Sequence, residues 1–118
     1  MSNTRRLLVL ISLGVAACSQ QPRATTGTLQ GHLYRVGGPA PGSPVPLSGT
    51  ITVTGNATSW EIKADVDGYY TVAVPPGRYT VTGHSPNIND SRQPCPAPNP
   101  GQISIGRTTT LDSYCSIP

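Results

Sequence analysis

Short β-forming runs separated by glycine and proline dominate this chain from Gly27 onward. Residues rich in Thr, Val, Ile and Tyr alternate with Gly/Pro clusters, and no window shows the 3.6-residue period of a helix. Thirteen Gly and thirteen Pro are too many for a helical bundle, and the glycines lack the three-residue period of collagen. We therefore predict an all-β fold, a seven-stranded antiparallel sandwich. Its expected strands are 27–35, 49–54, 58–65, 69–74, 78–84, 101–106 and 108–115.

Apolar and polar side chains alternate through the middle of the chain. The apolar residues occupy the even positions of 60–64 and again of 70–74. A three-residue loop, Val66-Asp67-Gly68, keeps these positions on one face, whereas a two-residue loop sets apolar residues against polar ones. Glycine suits the left-handed last position of such a loop. We therefore predict a hairpin with Asp65 opposite Tyr69 and Ala64 opposite Tyr70, and an inner face of Trp60, Ile62, Ala64, Tyr70, Val72 and Val74.

A second turn is predicted at Pro75-Pro76-Gly77. Proline presets φ for the second position of a type II turn, and glycine accepts the positive φ of the third. In the strand that follows, Tyr79, Val81 and Gly83 face inward, while Arg78 and the alternate residues face outward. The proline-rich segments 37–46 and 94–101 are expected to be surface loops, because proline cannot pair within a central strand.

The run Ala64 to Pro86 resembles the carboxypeptidase regulatory-like domain, a transthyretin-like sandwich related to collagen-adhesin B-type repeats. Ala64 replaces the threonine that opens the family pattern. The resemblance implies the fold much more strongly than an activity, since these residues shape turns and strands. The matching residues are Asp65, Gly68, Tyr70, Pro75, Pro76, Gly77, Tyr79 and Val81.

The N-terminus has the organisation of a secretory signal. A basic segment ending in Arg5-Arg6 precedes an apolar run, Leu7 to Ala17. As a helix this run reaches about 16 Å, which is too short for a hydrocarbon core of about 30 Å. Val15-Ala16-Ala17-Cys18 resembles the lipobox of bacterial lipoproteins, which implies cleavage before Cys18 and its acylation. An ordinary signal peptide cut near Ala17 is the alternative.

These features divide the chain into a signal peptide (1–17), a lipidated tether (18–26) and a sandwich domain (27–118). The expected location is the extracytoplasmic side of a cell membrane, with lipid on Cys18 as the anchor. Removing Cys18 leaves Cys95 and Cys115 as a pair, which we expect to be oxidised outside the cytoplasm. A zinc site is the competing interpretation, but further ligands at the usual spacing are absent from the sequence.

The sequence offers little for catalysis or for nucleic acid. Without Arg5 and Arg6 the chain carries six basic and five acidic side chains, a balance that gives no electrostatic case for nucleic-acid binding. Asp65-Val66-Asp67-Gly68 resembles the start of a calcium loop, but Pro76 stands where that loop needs a glutamate. His32 and His84 are expected to face solvent. We predict no catalytic residue, no metal site and no cofactor.

A non-catalytic role follows as the first functional hypothesis. The chain is expected to be a binding or structural module of the cell envelope, with an envelope protein or polysaccharide as its partner. Tyr69, Arg78 and the proline-rich loops are the candidate partner surface, because Tyr and Arg are common interface anchors. The alternative is a small-ligand carrier or an enzyme that uses a transthyretin-like pocket.

Overall fold

A computed structural model describes residues 25–39 and 42–118. Cys18, the signal peptide and the tether as far as residue 24 lie outside these ranges. No helix in the described part is long and apolar enough to cross a bilayer. The described residues form one 3-10 turn (Asn89–Ser91) and ten strands: β1 (Gly27–Gly37), β2 (Val45–Pro46), β3 (Gly49–Thr54), β4 (Ser59–Ala64), β5 (Tyr69–Val74), β6 (Gly77–His84), β7 (Cys95–Pro96), β8 (Gly101–Ile103), β9 (Thr108–Thr110) and β10 (Ser113–Ile117).

Sheet 1 is built around the long strand β1. On one side β1 pairs antiparallel with β5 and then with β2, and Leu33 marks the junction by donating to Gly68 and accepting from Leu47. On the other side β1 pairs with β9 and then with β10, both in parallel. The prediction of a purely antiparallel sandwich is therefore wrong for this sheet. The parallel pairs arise because the chain reaches them after crossing from the other sheet rather than through a tight hairpin.

Sheet 2 is antiparallel throughout. Its order is β4-β3-β6, with β7 and β8 pairing along the far side of β6. The predicted count of seven strands is wrong, because two-residue strands form within both proline-rich segments. These strands lie at sheet edges, where proline does not interrupt a ladder. The predicted strand 108–115 divides between β9 and β10.

The turn after β4 forms as predicted, but it does not close a hairpin. Asp65 donates its N–H to the Tyr69 carbonyl at 3.0 Å, and Gly68, with φ of 78°, donates to the Asp65 carbonyl at 2.9 Å. Beyond Tyr69 the strands separate, because β4 pairs with β3 while β5 pairs with β1. The predicted pairing of Ala64 with Tyr70 is therefore wrong. The two apolar faces oppose each other across the core between the sheets.

The proline turn after β5 also crosses between the sheets, from sheet 1 back to sheet 2. The Tyr79 hydroxyl donates to the Pro75 carbonyl at 2.7 Å and fixes the start of β6 against the turn. Gly77 has φ of 153°, much closer to extended than the roughly 80° of a type II turn. The predicted turn type is wrong because Gly77 already belongs to β6 and lies opposite Ile103.

The core lies between the inner faces of the two sheets. Trp60, Ile62 and Val72 are partly buried and pack against it, and the predicted inward residues of β6 are buried. The disulfide between Cys95 and Cys115 confirms the predicted pair and joins β7 of sheet 2 to β10 of sheet 1. The fully buried apolar side chains include Leu29, Leu33, Ile51, Val53, Tyr70, Val74, Val81 and Ile103.

Candidate binding surface

The outer face of sheet 1 carries a row of aromatic side chains. Leu29 and Leu33 point into the core, so the alternate residues of β1 point outward. The register then places Tyr69 of β5 opposite His32 on one side and Tyr114 of β10 opposite Tyr34 on the other. Three strands therefore contribute to one connected group of rings, which steps across the sheet, along β1 and across again. We call His32, Tyr34, Tyr69 and Tyr114 the aromatic row.

The four rings lie close enough to touch. The ring centroids of Tyr69 and His32 are 5.5 Å apart, those of His32 and Tyr34 are also 5.5 Å apart, and Tyr34 lies 5.9 Å from Tyr114. The planes of His32 and Tyr34 differ by 14°. All four side chains are half-buried, so the rings support one another while part of each stays open to solvent. Single exposed aromatic residues are ordinary, whereas a contiguous group of partly exposed rings is a candidate contact surface.

Polar side chains brace the aromatic row along one side. The Tyr69 hydroxyl donates to Gln30 Oε1 at 3.2 Å, and Gln30 Nε2 donates to Thr110 Oγ1 at 3.4 Å. Asp112 lies between β9 and β10, where its Oδ1 accepts the backbone N–H of His32 at 2.8 Å. This carboxylate takes the place of a backbone acceptor at the break between the two strands, where the predicted single strand divides.

The inward neighbour of the row, Tyr70, is a structural tyrosine. Its hydroxyl donates to the Leu111 carbonyl beneath the break between β9 and β10. Burial, assisted by the negative charge of Asp112, raises the pKa of the Tyr70 hydroxyl well above its ordinary value. Tyr69 and Tyr70 are neighbours on β5 but have different environments. Tyr69 is partly exposed to solvent, whereas Tyr70 is buried and packs in the core.

The structure does not bring together the two residues predicted to share a partner surface. Tyr69 belongs to the aromatic row on sheet 1, whereas Arg78 points outward from sheet 2, opposite Gln102. Tyr34 and Tyr114 were not predicted to belong to a surface. The available signal was their position in the strand, since each alternates with a residue that is buried in the structure, Leu33 or Cys115.

Arg78 lines a shallow depression at one end of the sandwich. The depression has a volume of about 140 Å³ and lies between the turn after β5 and Asn56. A neighbouring depression of about 210 Å³ is bordered by Trp60, whose ring meets Tyr79 edge-on with centroids 5.7 Å apart. Both are smaller than the 300–1,000 Å³ of ordinary small-molecule pockets, so they give little support to the hypothesis of a ligand carrier.

The side chains of Asp65 and Ser85 make local hydrogen bonds to the backbone. The Asp65 carboxylate accepts the N–H groups of Asp67 and Tyr69, at 2.9 and 3.0 Å, and so closes the turn. Ser85 is buried and its Oγ accepts the N–H of Asn87. Among residues 25–39 and 42–118, no three His, Cys, Asp or Glu side chains lie close enough to hold a metal ion.

Comparison with known proteins supports the fold. No protein-family model matches the sequence, and no curated protein matches it either, so the predicted carboxypeptidase regulatory-like family is not confirmed. Among solved structures, the TIE protein of Bacillus anthracis gives a TM-score of 0.58 at 14% identity over 78% of this chain. A minor pilin of Streptococcus agalactiae gives 0.55 at 14% identity over 81%. This chain spans only 16% and 47% of those two proteins, and the likeness shows the β-sandwich fold.

Proposed function

We propose that this protein is a lipid-anchored, non-catalytic binding module of the cell envelope, and that the aromatic row is its contact surface. The row supports the proposal because four half-exposed rings on adjacent strands expose apolar area to water. Tyrosine is enriched at binding surfaces, since its ring supplies contact area and its hydroxyl supplies a hydrogen bond.

Attachment to a membrane is the second part of the proposal. The lipobox-like sequence before Cys18 supports acylation of that cysteine, and two or more acyl chains anchor a protein stably. Six residues separate Cys18 from Thr25, where the described domain begins. The disulfide between Cys95 and Cys115 favours an extracytoplasmic location, because such bonds persist in oxidising compartments.

The structural comparisons support the same class of role. One of the similar structures is described as a minor pilin, and this likeness favours a module of the cell surface. We also propose that the domain belongs to the carboxypeptidase regulatory-like family. The motif residues that suggested this kinship, among them Gly68 and Tyr79, build the two turns that cross between the sheets.

An envelope co-sedimentation assay tests the two parts separately. The wild-type chain is expected in the membrane fraction with an acylated Cys18, while the variant Cys18→Ser is released in soluble form. Soluble Cys18→Ser protein is then mixed with isolated envelopes, and we expect it to co-sediment with them.

A matched pair of variants shows which face makes the contact. Adding Tyr34→Ala and Tyr114→Ala to the released protein is expected to abolish co-sedimentation. Adding Thr52→Ala and Thr82→Ala, which alter paired half-buried residues on the outer face of sheet 2, is expected to leave it unchanged. Equal loss in both variants, or no co-sedimentation at all, would contradict a binding role for the aromatic row. An unmodified Cys18 would contradict the lipid anchor alone.

A further inference from the structure

The side chains on the outer face of sheet 1 indicate which chemical class of molecule the face is suited to bind. The outward positions of its strands carry phenol hydroxyls, an imidazole, an amide and threonine hydroxyls. Asp112 beside them is the single charged side chain of this outer face among the described residues, and its Oδ1 is already engaged with the backbone of His32. The face therefore combines apolar ring surface with many uncharged hydrogen-bonding groups.

This composition is a poor match for an anionic partner. Acidic polysaccharides and anionic lipid headgroups are attracted by clustered lysine and arginine. The described outward positions of sheet 1 include neither, and Asp112 adds a negative charge. An uncharged partner meets no electrostatic penalty here, so charge complementarity favours a neutral ligand.

The composition also differs from that of a protein-docking surface. Protein interfaces have a fully buried apolar core that excludes water. On the outer face of sheet 1 the apolar residues other than the rings are Val36 and Ala73, at opposite ends of the sheet, and Pro46 of β2, which pairs with Tyr34. The rings themselves are flanked by hydrogen-bonding side chains such as Gln30 and Thr110.

A sugar ring presents complementary chemistry. Its faces are formed by C–H groups that pack on aromatic rings, and its hydroxyl rim exchanges hydrogen bonds with phenol, amide and hydroxyl groups. The centroid spacings of 5.5–5.9 Å along the row are comparable to the length of one sugar unit in an extended chain. Neighbouring rings of the row are therefore spaced to contact neighbouring sugars, and the planes of His32, Tyr34 and Tyr114 differ by only 14° and 25° at the two steps, against 60° between Tyr69 and His32.

We propose that the aromatic row binds an extended, neutral polysaccharide. This inference rests on the proposed function and names the substance that the envelope-binding surface recognises. Tyr34 and Tyr114 lie at the centre and one end of the row, and Tyr69 lies at the other end. Tyr34 contacts two neighbouring rings, so its replacement interrupts the row in the middle.

Affinity electrophoresis of the full chain in native gels tests this inference. The gels contain hydroxyethyl cellulose, galactomannan or soluble β-glucan as neutral polymers, and alginate as the anionic comparison. We expect at least one neutral polymer to retard the wild-type chain at low and at high salt. Tyr34→Ala is expected to weaken the apparent affinity about tenfold, as for the loss of an interface anchor. Tyr34→Phe keeps the ring and is expected to lose less.

Control variants separate binding from folding. Thr52→Ala and Thr82→Ala are expected to bind like the wild-type chain, and unchanged thermal midpoints of all variants show that the sandwich is intact. Retardation by alginate alone, or by no polymer, overturns the inference. So does a dimer that Tyr34→Ala dissociates in sedimentation experiments, because the row would then bind a second copy.

The two proposals fail in distinguishable ways. If released protein still co-sediments with envelopes through Tyr34 and Tyr114 but no neutral polymer retards it, the envelope role stands and the polysaccharide inference falls. If co-sedimentation also fails, the proposed function falls with it.

Discussion

The two outer faces of the sandwich rest on the same core but have different surfaces. Sheet 1 presents three tyrosines and a histidine in contact across three strands. Sheet 2 presents no tyrosine or tryptophan at its described outward strand positions. Its central strands instead carry Thr50, Thr52, Thr54, Thr80 and Thr82, with Glu61, Lys63 and Arg78 on β4 and β6.

This difference bears on whether the fold needs the aromatic residues of sheet 1 for its stability. Threonine suits a pleated, half-buried surface, and sheet 2 shows that threonine suffices on an outer face of this sandwich. The fold therefore does not demand rings on sheet 1. Cross-strand aromatic pairs do add stability, about 0.2–1 kcal/mol each, so a purely structural role is the hypothesis that experiments must exclude.

The largest expected effect comes from cutting the link between the sheets. The disulfide closes a loop with a sequence separation of 20 residues, which predicts a contribution of about 3 kcal/mol to the free energy of unfolding. Replacing both Cys95 and Cys115 by alanine is expected to lower the urea midpoint accordingly. Both sheets are expected to unfold in a single transition, because they share one core.

Reduction supplies the control for this prediction. A reducing agent is expected to destabilise the wild-type chain by a similar amount and to leave the double-alanine variant unchanged. A wild-type urea midpoint that does not respond to reduction would show that the bond adds nothing to stability.

A smaller effect distinguishes the two faces of a single strand. Tyr70→Phe removes the buried donor to the Leu111 carbonyl and is expected to cost about 1–2 kcal/mol at neutral pH. Tyr69→Phe removes an outward hydroxyl that bonds to Gln30 and is expected to cost less than about 0.5 kcal/mol. Chemical denaturation of both variants measures the contrast. Equal costs would show that the outer face contributes to folding as the inner face does.

The pH dependence of stability gives a second test of the buried Tyr70 hydroxyl. Because burial raises the pKa of Tyr70 in the folded chain, unfolding releases a proton once the pH exceeds the ordinary tyrosine value of about 10. The contribution of Tyr70 is complete below that pH and falls above it by about 1.4 kcal/mol per pH unit. Tyr70→Phe lacks this term, so its stability is expected to approach that of the wild type between pH 10 and 11.

An intermediate effect is expected at the turn that carries the chain from sheet 2 to sheet 1. Asp65→Ala removes a carboxylate that accepts two backbone N–H groups and is expected to cost about 1 kcal/mol. Asp67→Ala is the matched control, since the backbone of Asp67 rather than its carboxylate takes part in the turn. If the two variants have equal urea midpoints, the carboxylate of Asp65 does not hold this connection.

The turn after β4 shows which features of the fold could be predicted from the sequence. Alternation predicted which side chains of β4 and β5 are buried and how the chain turns between them, and both follow from local geometry. It did not predict that β4 and β5 pair in different sheets. Two strands have the same alternation of apolar residues whether they are neighbours in one sheet or face each other across the core from two sheets. The parallel pairing of β9 and β10 with β1 depends on contacts distant in sequence and left no local pattern.

The binding surface was predictable only in part. Tyr69 was identified from its exposed position, but the row depends on the register between β1, β5 and β10. Arg78 was assigned to the same surface because outward parity does not reveal which sheet a strand joins. The disulfide, by contrast, was predictable. Cys18 belongs to the lipobox-like sequence, so Cys95 and Cys115 are the two cysteines that remain to pair.

The last prediction concerns a small effect and decides between the structural and the binding interpretation of the aromatic row. Tyr34→Ala removes a half-buried ring from the centre of sheet 1, and Thr52→Ala removes a half-buried side chain from the centre of sheet 2. If the rings serve binding, both variants are expected to lose no more than about 1 kcal/mol of stability, in keeping with the modest worth of cross-strand pairs. Their urea midpoints should therefore be similar, while their retention on envelopes differs. A loss above about 2 kcal/mol for Tyr34→Ala alone would assign the row to the stability of sheet 1, because such costs are typical of core residues and not of partly exposed strand positions.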